Sequence, residues 1–123
     1  MEELEKYLNK CYLESDKEFI FVYKFVKVEN IYGFLCYEVH AERGDISVSI
    51  YEDFPVDQDG ELEFIRSFIP ELDEGCEAHE ISERYYYELK ARIKKLKLLQ
   101  DTFKEQVKDF IKKLWIGQKS IKN

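Results

Sequence analysis

Proline and glycine are scarce in this chain, and they are absent where the longest helix is expected. Two prolines and five glycines occur among 123 residues, and neither type lies between Cys76 and Ile116. A stretch of that length without a helix-breaking residue is typical of one long helix. Long apolar runs are missing as well, which excludes a membrane-spanning segment of about 20 apolar residues.

Cysteine and histidine are equally few, and their spacing argues against a metal site. Cys36 precedes His40 and Cys76 precedes His79, but neither spacing is that of a zinc finger. Three cysteines, far apart, in a chain with an acidic start and no signal-peptide pattern predict reduced thiols and a cytoplasmic protein. We therefore expect no metal and no cofactor.

The sequence lacks the motifs of common catalytic sites, including a glycine-rich phosphate loop, a nucleophile elbow and a metalloprotease helix. Cys36, Glu38 and His40 would share one face of a strand. Alternate strand residues are about 6.6 Å apart, so Cys36 and His40 are too distant to form a nucleophile and base. We expect no catalytic residues and no enzyme, and a small enzyme stays as an alternative.

The acidic segment around Asp57 partly matches a calcium-binding loop. An EF-hand would place an acidic ligand two residues before Asp57 and a glutamate at its twelfth position. Pro55 and Arg66 stand there instead. The match therefore fails, and a weak cation-binding site stays as a further alternative to a solvated loop.

Basic residues are nearly absent from the first two thirds of the chain. Residues 1–80 hold 21 of the 26 acidic residues and 7 of the 19 basic ones, a net charge of −14, whereas residues 81–123 carry +7. Such separation bears on partners and assembly rather than on the fold. It predicts a basic protein surface as the partner, and it disfavours direct nucleic-acid binding because the acidic part would repel phosphates.

The patterns that are present predict an α+β fold, with an antiparallel meander of three to four strands, a short N-terminal helix and a long amphipathic C-terminal helix. An apolar stripe predicts the first helix at about Glu2 to Leu13. The first strand is apolar on both faces, which predicts a central strand covered on both sides. Turns are expected at Glu29-Asn30 and Arg43-Gly44, and most of residues 52–80 should be loop. The predicted strands are Glu18–Val28, Ile31–Glu42, Asp45–Tyr51 and, more weakly, Leu62–Phe68.

Residues 81–117 should form the basic helix, with Ser82 as its N-cap and Gly117 at its end. Residues 118–123 would be a flexible tail, and residues 1–123 together a single domain. Thr102 begins a capping-box pattern, so a second helix starting there is the alternative to one continuous helix.

The last helix carries apolar residues at heptad spacing from Tyr86 to Leu114, interrupted only by Gln100. The pattern fits either a helix packed on the sheet or a coiled-coil seam in a homo-oligomer, most simply a dimer. Lysines flank the seam, so a homodimer would gain no interhelical ion pairs there. Apolar and lysine residues together can also bind a membrane surface, but we favour a core face and expect no membrane. The candidate self-association residues are Leu96, Gln100, Phe103, Val107, Phe110 and Leu114.

Taken together, these patterns predict a non-enzymatic acidic module for protein–protein interaction. In its sharpest form it would be an inhibitor that acts as a nucleic-acid mimic, presenting carboxylates to a basic nucleic-acid-binding cleft. The alternative is a structural or assembly protein that oligomerises through its last helix. Candidate partner-binding residues are the acidic loop and two tyrosines after it: Asp53, Asp57, Asp59, Glu61, Glu63, Glu71, Asp73, Glu74, Glu77, Tyr85 and Tyr87.

Overall fold

A computed structural model describes residues 2–42, 45–52 and 61–122. It contains an antiparallel five-stranded sheet, a long C-terminal helix and two shorter helices, in broad agreement with the expected α+β class. The elements in chain order are α1 (Glu2–Glu5), β1 (Cys11–Ser15), β2 (Phe19–Val28), β3 (Ile31–Glu42), β4 (Asp45–Tyr51), α2 (Glu61–Phe68), β5 (His79–Ile81) and α3 (Glu83–Lys122). The chain divides into two compact units, Met1–Ile93 and Lys94–Asn123, and the single domain expected from the sequence stays a prediction.

The central part of the sheet follows the predicted meander. The strand order is β4-β3-β2-β1-β5, and every neighbouring pair is antiparallel. β3 and β4 have the predicted bounds, and β2 begins one residue later than predicted. Glu29 and Asn30 have φ angles of 49° and 68°. Both values lie in the left-handed region that a two-residue hairpin turn of this kind requires.

The N-terminal helix is much shorter than predicted, and β1 replaces its second half. Asn9, with a φ of 68°, ends the turn after α1. Cys11 and Tyr12, predicted on one helical stripe, are instead buried on opposite faces of the sheet. The helical prediction was wrong because β2 is a central strand and needs a partner on each side. The backbone of Phe25 bonds to Asn9 and Lys10, and β1 continues this pairing.

A second correction concerns residues 62–68, which form most of α2 rather than a strand. Ile65 of α2 and Ile69, which follows it, are 3 % and 0 % exposed, and both belong to the main core. β5 also lies partly in the predicted loop; it pairs with β1 and extends the sheet by a fifth strand.

The main core lies on the face of the sheet that carries Tyr12, Tyr23, Phe25 and Phe34. Residues of the N-terminal segment and of α2 pack against it. The Phe25 ring stacks on Tyr32 with centroids 5.5 Å apart, and Tyr23 meets Phe34 edge to face. The Tyr23 hydroxyl donates a hydrogen bond of 2.7 Å to the carbonyl oxygen of Phe68, which ties α2 to the sheet.

The opposite face of the sheet is covered by the beginning of α3. Ser82 caps this helix as predicted, because its hydroxyl oxygen accepts the Tyr85 backbone N–H at 3.1 Å. Tyr86 is fully buried, and its ring lies 6.1 Å from that of Tyr37. Since Val22 and Phe25 are both 0 % exposed, the middle of β2 is buried on both faces, and that prediction is confirmed there but not at the two ends of the strand.

Helix α3 is continuous through Thr102 and passes Gly117, where the sequence placed its end, to reach Lys122. The Thr102 hydroxyl donates to the carbonyl oxygen of Leu98 at 2.9 Å, so it does not cap a new helix. The helix thus includes residues 118–122 of the predicted tail.

Charge also differs between the two units: residues 1–93 carry −13 and residues 94–123 carry +6.

Candidate functional site

We call the face of the sheet that carries the main core the main sheet face. At one end of this face, carboxylates take the place of core residues. The strand register places Glu14 of β1, Phe21 of β2 and Glu38 of β3 side by side in one row. Neighbouring strands are about 4.8 Å apart, so the two glutamates start from backbones roughly 10 Å apart with an aromatic ring between them. The row thus sets two negative charges on either side of an apolar surface.

The next row extends this arrangement with Phe19 and His40, which also lie opposite each other. A depression of about 320 Å³ is lined by Glu14, Phe19, Phe21, Glu38 and His40. We call it the open depression. A second depression of about 380 Å³ adjoins it at His40 and adds Glu42 and Asp45 from the β3–β4 end of the sheet. Negative charge therefore continues beyond the first site.

Carboxylates beside aromatic rings are suited to binding a cationic group, and this chain already binds two of its own lysines that way. The Lys27 ammonium lies 5.0 Å from the Tyr32 ring centroid and 2.6 Å from a carboxylate oxygen of Glu5. Lys10 lies 5.4 Å from the Tyr7 centroid and 3.1 Å from Glu80. Such contacts combine a cation–π attraction with a charge-assisted hydrogen bond.

The open depression has the same chemistry without a lysine or arginine in it. Within residues 2–42, 45–52 and 61–122, no basic side chain forms an ion pair with Glu14 or Glu38. Phe19 and Phe21 are half-buried, so part of each ring faces solvent. A lysine or arginine from another molecule could therefore contact a ring and a carboxylate at once.

The acidic residues chosen from sequence have several fates. Asp53, Asp57 and Asp59 lie outside the described residues, and Glu61 and Glu63 are in α2. Glu71 lies 3.9 Å from the Lys10 ammonium, which already neutralises part of its charge. The Asp73 carboxylate accepts the Gly75 backbone N–H at 2.9 Å and so stabilises the local turn. Glu74 and Glu77 are exposed.

The two candidate tyrosines differ in how much of their surface is already engaged. Tyr85 and Tyr87 are 45 % and 46 % exposed, as expected for tyrosines flanking the buried Tyr86. The Tyr87 hydroxyl accepts a hydrogen bond of 2.8 Å from Lys24, and its ring lies near Lys90 as well. Tyr85 is the more accessible of the two for a partner.

The exposed apolar residues in the Lys94–Asn123 unit only partly match the predicted seam. Leu96 and Gln100 are half-buried, whereas Phe103 is 66 % exposed. The side chains of Val107, Phe110 and Leu114 lie outside the described set. Leu98 and Leu99, which the heptad analysis left out, are 67 % and 57 % exposed.

The two cysteines that precede a histidine lie in different surroundings. Burial raises the pKa of the Cys36 thiol to about 12, so it stays protonated near neutrality. His79 is exposed on β5, whereas Cys76 lies 3.9 Å from the Tyr23 hydroxyl. In the part of the chain that the structure describes, no three His, Cys, Asp or Glu side chains are grouped so that they could hold a metal ion.

The open depression could not be predicted while the residues of β1 were assigned to a helix. Glu38 and His40 were already expected on one strand face, and Phe19 and Phe21 in a strand that is apolar on both faces. Without β1, however, nothing put Glu14 beside Phe21. Residues 11–15 read Cys-Tyr-Leu-Glu-Ser, which is compatible with a short strand as well as with a helix end, so no local signal separates the two.

Comparisons with known proteins add no family. No family model, no curated protein and no solved structure matches this chain. Among the described helices, none has both the length and the apolar character needed to cross a membrane.

Proposed function

We propose that this chain is a non-catalytic interaction module that binds a basic protein surface through the acidic unit of residues 1–93. The open depression receives a lysine or arginine side chain of the partner. The observation that carries this proposal is the pair Glu14 and Glu38, which flanks Phe21 with no described basic partner. The net charge of −13 over residues 1–93 would steer a basic partner toward this unit.

The most specific form of this function is inhibition of a nucleic-acid-binding protein. Carboxylates line the two adjoining depressions. In a basic cleft, these carboxylates can take the place of phosphates. The residues in this role would be Glu14, Glu38, Glu42 and Asp45, together with the exposed Glu74 and Glu77. Competition between this chain and nucleic acid for a basic protein would then depend strongly on salt.

A lysine-rich peptide and an arginine-rich peptide provide the first test. Binding is measured by fluorescence anisotropy at low and at physiological ionic strength for the wild type and for the double variant Glu14→Gln/Glu38→Gln. The variant removes two ion pairs at partly exposed carboxylates and keeps the aromatic rings. Such pairs contribute about 1 kcal/mol together, so we expect roughly fivefold weaker binding. A matched control is Glu29→Gln/Glu105→Gln, which removes the same charge from two exposed positions outside the open depression.

The two double variants separate a local site from a general charge effect. The proposal predicts that Glu14→Gln/Glu38→Gln weakens binding much more than the control does, and that added salt weakens binding of the wild type. Equal losses in both variants, or affinity that is independent of salt, would contradict it. A Glu74→Gln/Glu77→Gln variant measures separately how far the loop predicted from sequence contributes.

A second candidate function is assembly through the helix of the Lys94–Asn123 unit. Its specific support is the exposure of three large apolar residues, Leu98, Leu99 and Phe103, at 57–67 %. Surfaces of this kind often mark an interface. Replacing Leu99 and Phe103 by lysine should lower the molar mass in light scattering if the helix self-associates. An unchanged mass would count against it, and Lys104→Gln serves as a control on the same helix.

A further inference from the structure

The open depression differs from the Lys27 site in where its carboxylates stand. The Lys27 ammonium lies beside one tyrosine ring and 2.6 Å from the single carboxylate of Glu5. In the open depression, Glu14 stands on β1 and Glu38 on β3, with β2 between the two strands. A cation bound there meets a carboxylate on each side of an aromatic ring rather than on one side only.

A compact ammonium group can contact two carboxylates only when both converge on it. Lys10 is an example in this chain, because its ammonium lies 3.1 Å from Glu80 and 3.9 Å from Glu71. Charge-assisted hydrogen bonds to a single nitrogen are about 2.8 Å long, so the two carboxylates must come within roughly 6 Å of each other to share it fully. The lysine ammonium therefore suits convergent carboxylates.

The titratable side chains of the open depression are spread over the sheet instead. Glu14 and Glu38 start from backbones roughly 10 Å apart, because a whole strand lies between them. In the part of the chain that the structure describes, no three His, Cys, Asp or Glu side chains are grouped so that they could hold a metal ion. Glu14, Glu38 and His40 therefore do not meet at one point, and we expect a lysine to pair with one glutamate at a time.

A guanidinium group suits carboxylates that stand on either side of a ring. It is planar, and its five N–H donors point outward in that plane, so different nitrogens can bind different carboxylates. Its face can lie on an aromatic ring at the same time. An arginine side chain on Phe21 would thus donate to Glu14 at one edge of the guanidinium and to Glu38 at another.

The Phe21 ring is already held in place for such a contact. Its centroid lies 5.0 Å from that of Tyr23 and 6.3 Å from that of Phe68. The ring is nevertheless only half-buried, and it lines the depression. A ring that its neighbours have fixed loses little conformational freedom when a ligand binds, which favours affinity.

We propose that the open depression is an arginine site, in which a guanidinium group of the partner lies on Phe21 between Glu14 and Glu38. Lysine binds in the same depression, but more weakly. The aliphatic stem of the arginine packs on Phe19 in the next row. This inference rests on the proposed function, since it names the side chain that the same depression receives.

Three fluorescent peptides test the arginine site on the full chain. They share one glycine–serine framework and carry three basic residues each, which are arginine, lysine or asymmetrically dimethylated arginine. The methylated side chain keeps its charge, but one of its terminal nitrogens has no hydrogen left to donate. Fluorescence anisotropy at low ionic strength measures each dissociation constant. We expect the wild type to bind the arginine peptide about fivefold more tightly than either of the other two.

Two single variants determine whether both carboxylates are needed. Glu14→Gln and Glu38→Gln each leave one carboxylate beside Phe21, which lysine can use as well as arginine does. The preference for the arginine peptide over the lysine peptide should therefore fall to about twofold or less in each variant. Glu29→Gln removes the same charge from an exposed position outside the open depression and should keep the full preference. Circular dichroism verifies that every variant is folded.

The outcomes separate this inference from the proposed function. Equal affinity of the wild type for the arginine and lysine peptides would overturn the arginine site and leave the proposed function standing. The arginine site is also overturned if Glu29→Gln lowers the preference as much as Glu14→Gln and Glu38→Gln do. If neither peptide loses affinity in Glu14→Gln/Glu38→Gln, the depression is not the binding site and both proposals fail.

Discussion

The two ends of the main sheet face are built on the same strands but have different roles. At one end Phe25 and Phe34 face each other, and they are 0 % and 6 % exposed. Four residues away along β2, Phe21 lies opposite Glu38 and remains half-buried. The covered end has the N-terminal segment and α2 packed over it, whereas carboxylates border the other. An aromatic strand face therefore indicates a core only where another element covers it.

Truncating one phenylalanine at each end gives the largest expected difference. Phe25→Ala removes a fully buried ring and should lower the free energy of unfolding by about 3–5 kcal/mol. Phe21→Ala removes a ring that already faces solvent in part, so a loss of about 1–2 kcal/mol is expected. Chemical denaturation monitored by circular dichroism measures both.

The ratio of these two losses is the informative quantity. Similar losses would show that the open end is packed as tightly as the covered end, and the distinction between them would disappear. Phe21→Ala should also weaken binding of a lysine-rich peptide, whereas a folded Phe25→Val should not.

Cys36 lies at the boundary between the two ends, opposite Tyr23 and two positions from Glu38. Burial raises the pKa of its thiol from 9.0 to about 12. Because only the thiolate reacts, alkylation at neutral pH should be roughly a thousandfold slower in the native protein than in the unfolded chain. Mass spectrometry after timed labelling gives the rate for each cysteine. Rapid labelling of Cys36 in the folded protein would show that the open end reaches further than the structure indicates.

Removing either of two tyrosine hydroxyls at the covered end should change the free energy of unfolding in opposite directions. The Tyr23 hydroxyl donates to the Phe68 carbonyl oxygen, so Tyr23→Phe should cost about 1 kcal/mol. The buried hydroxyl of Tyr12 makes no hydrogen bond within the described residues, so Tyr12→Phe should leave stability unchanged or raise it. Equilibrium unfolding of both variants tests this pair. A clear loss in Tyr12→Phe would reveal a partner for that hydroxyl.

The sequence predicted the parts of this fold in which local pattern and long-range pairing agree. Strand Ile31–Glu42 follows the Glu29-Asn30 turn and strand Asp45–Tyr51 alternates clearly, so neighbouring residues decide their structure, whereas the predicted turn at Arg43-Gly44 lies outside the described residues. Ser82 likewise caps α3 through a contact only three residues away. Residues 11–13 and 62–68 were predicted wrongly, because the apolar spacing there fits both helix and strand. The choice between helix and strand depends on two long-range features: the side of β2 that needs a partner strand, and the core that packs over Phe25.

The candidate site was harder to predict, since it depends on three strands in register. Cys36, Glu38 and His40 were correctly placed on one face, but their neighbours on β1 and β2 were needed to show a depression. The acidic loop attracted attention because its charge is dense in sequence. Glu14 and Glu38 are 24 positions apart and become neighbours of Phe21 only through sheet pairing.

The smallest expected effect concerns Glu5, whose site at the covered end already contains a lysine. Hydrogen bonds from Lys27 and then from Tyr32 lower the pKa of the Glu5 carboxyl below its usual 4.5. A group with a lowered folded-state pKa stabilises the fold above its unfolded pKa, and this contribution is lost as pH falls through the lowered value. The unfolding free energies of wild type and Glu5→Gln should therefore differ at neutral pH and converge in acid. Lys27→Met should show the same convergence, and a difference that stays constant with pH would mean that the ionised Glu5 carboxyl adds nothing to folding through Lys27. Such a result would also weaken the case that the open depression can bind a lysine, because its chemistry is the same.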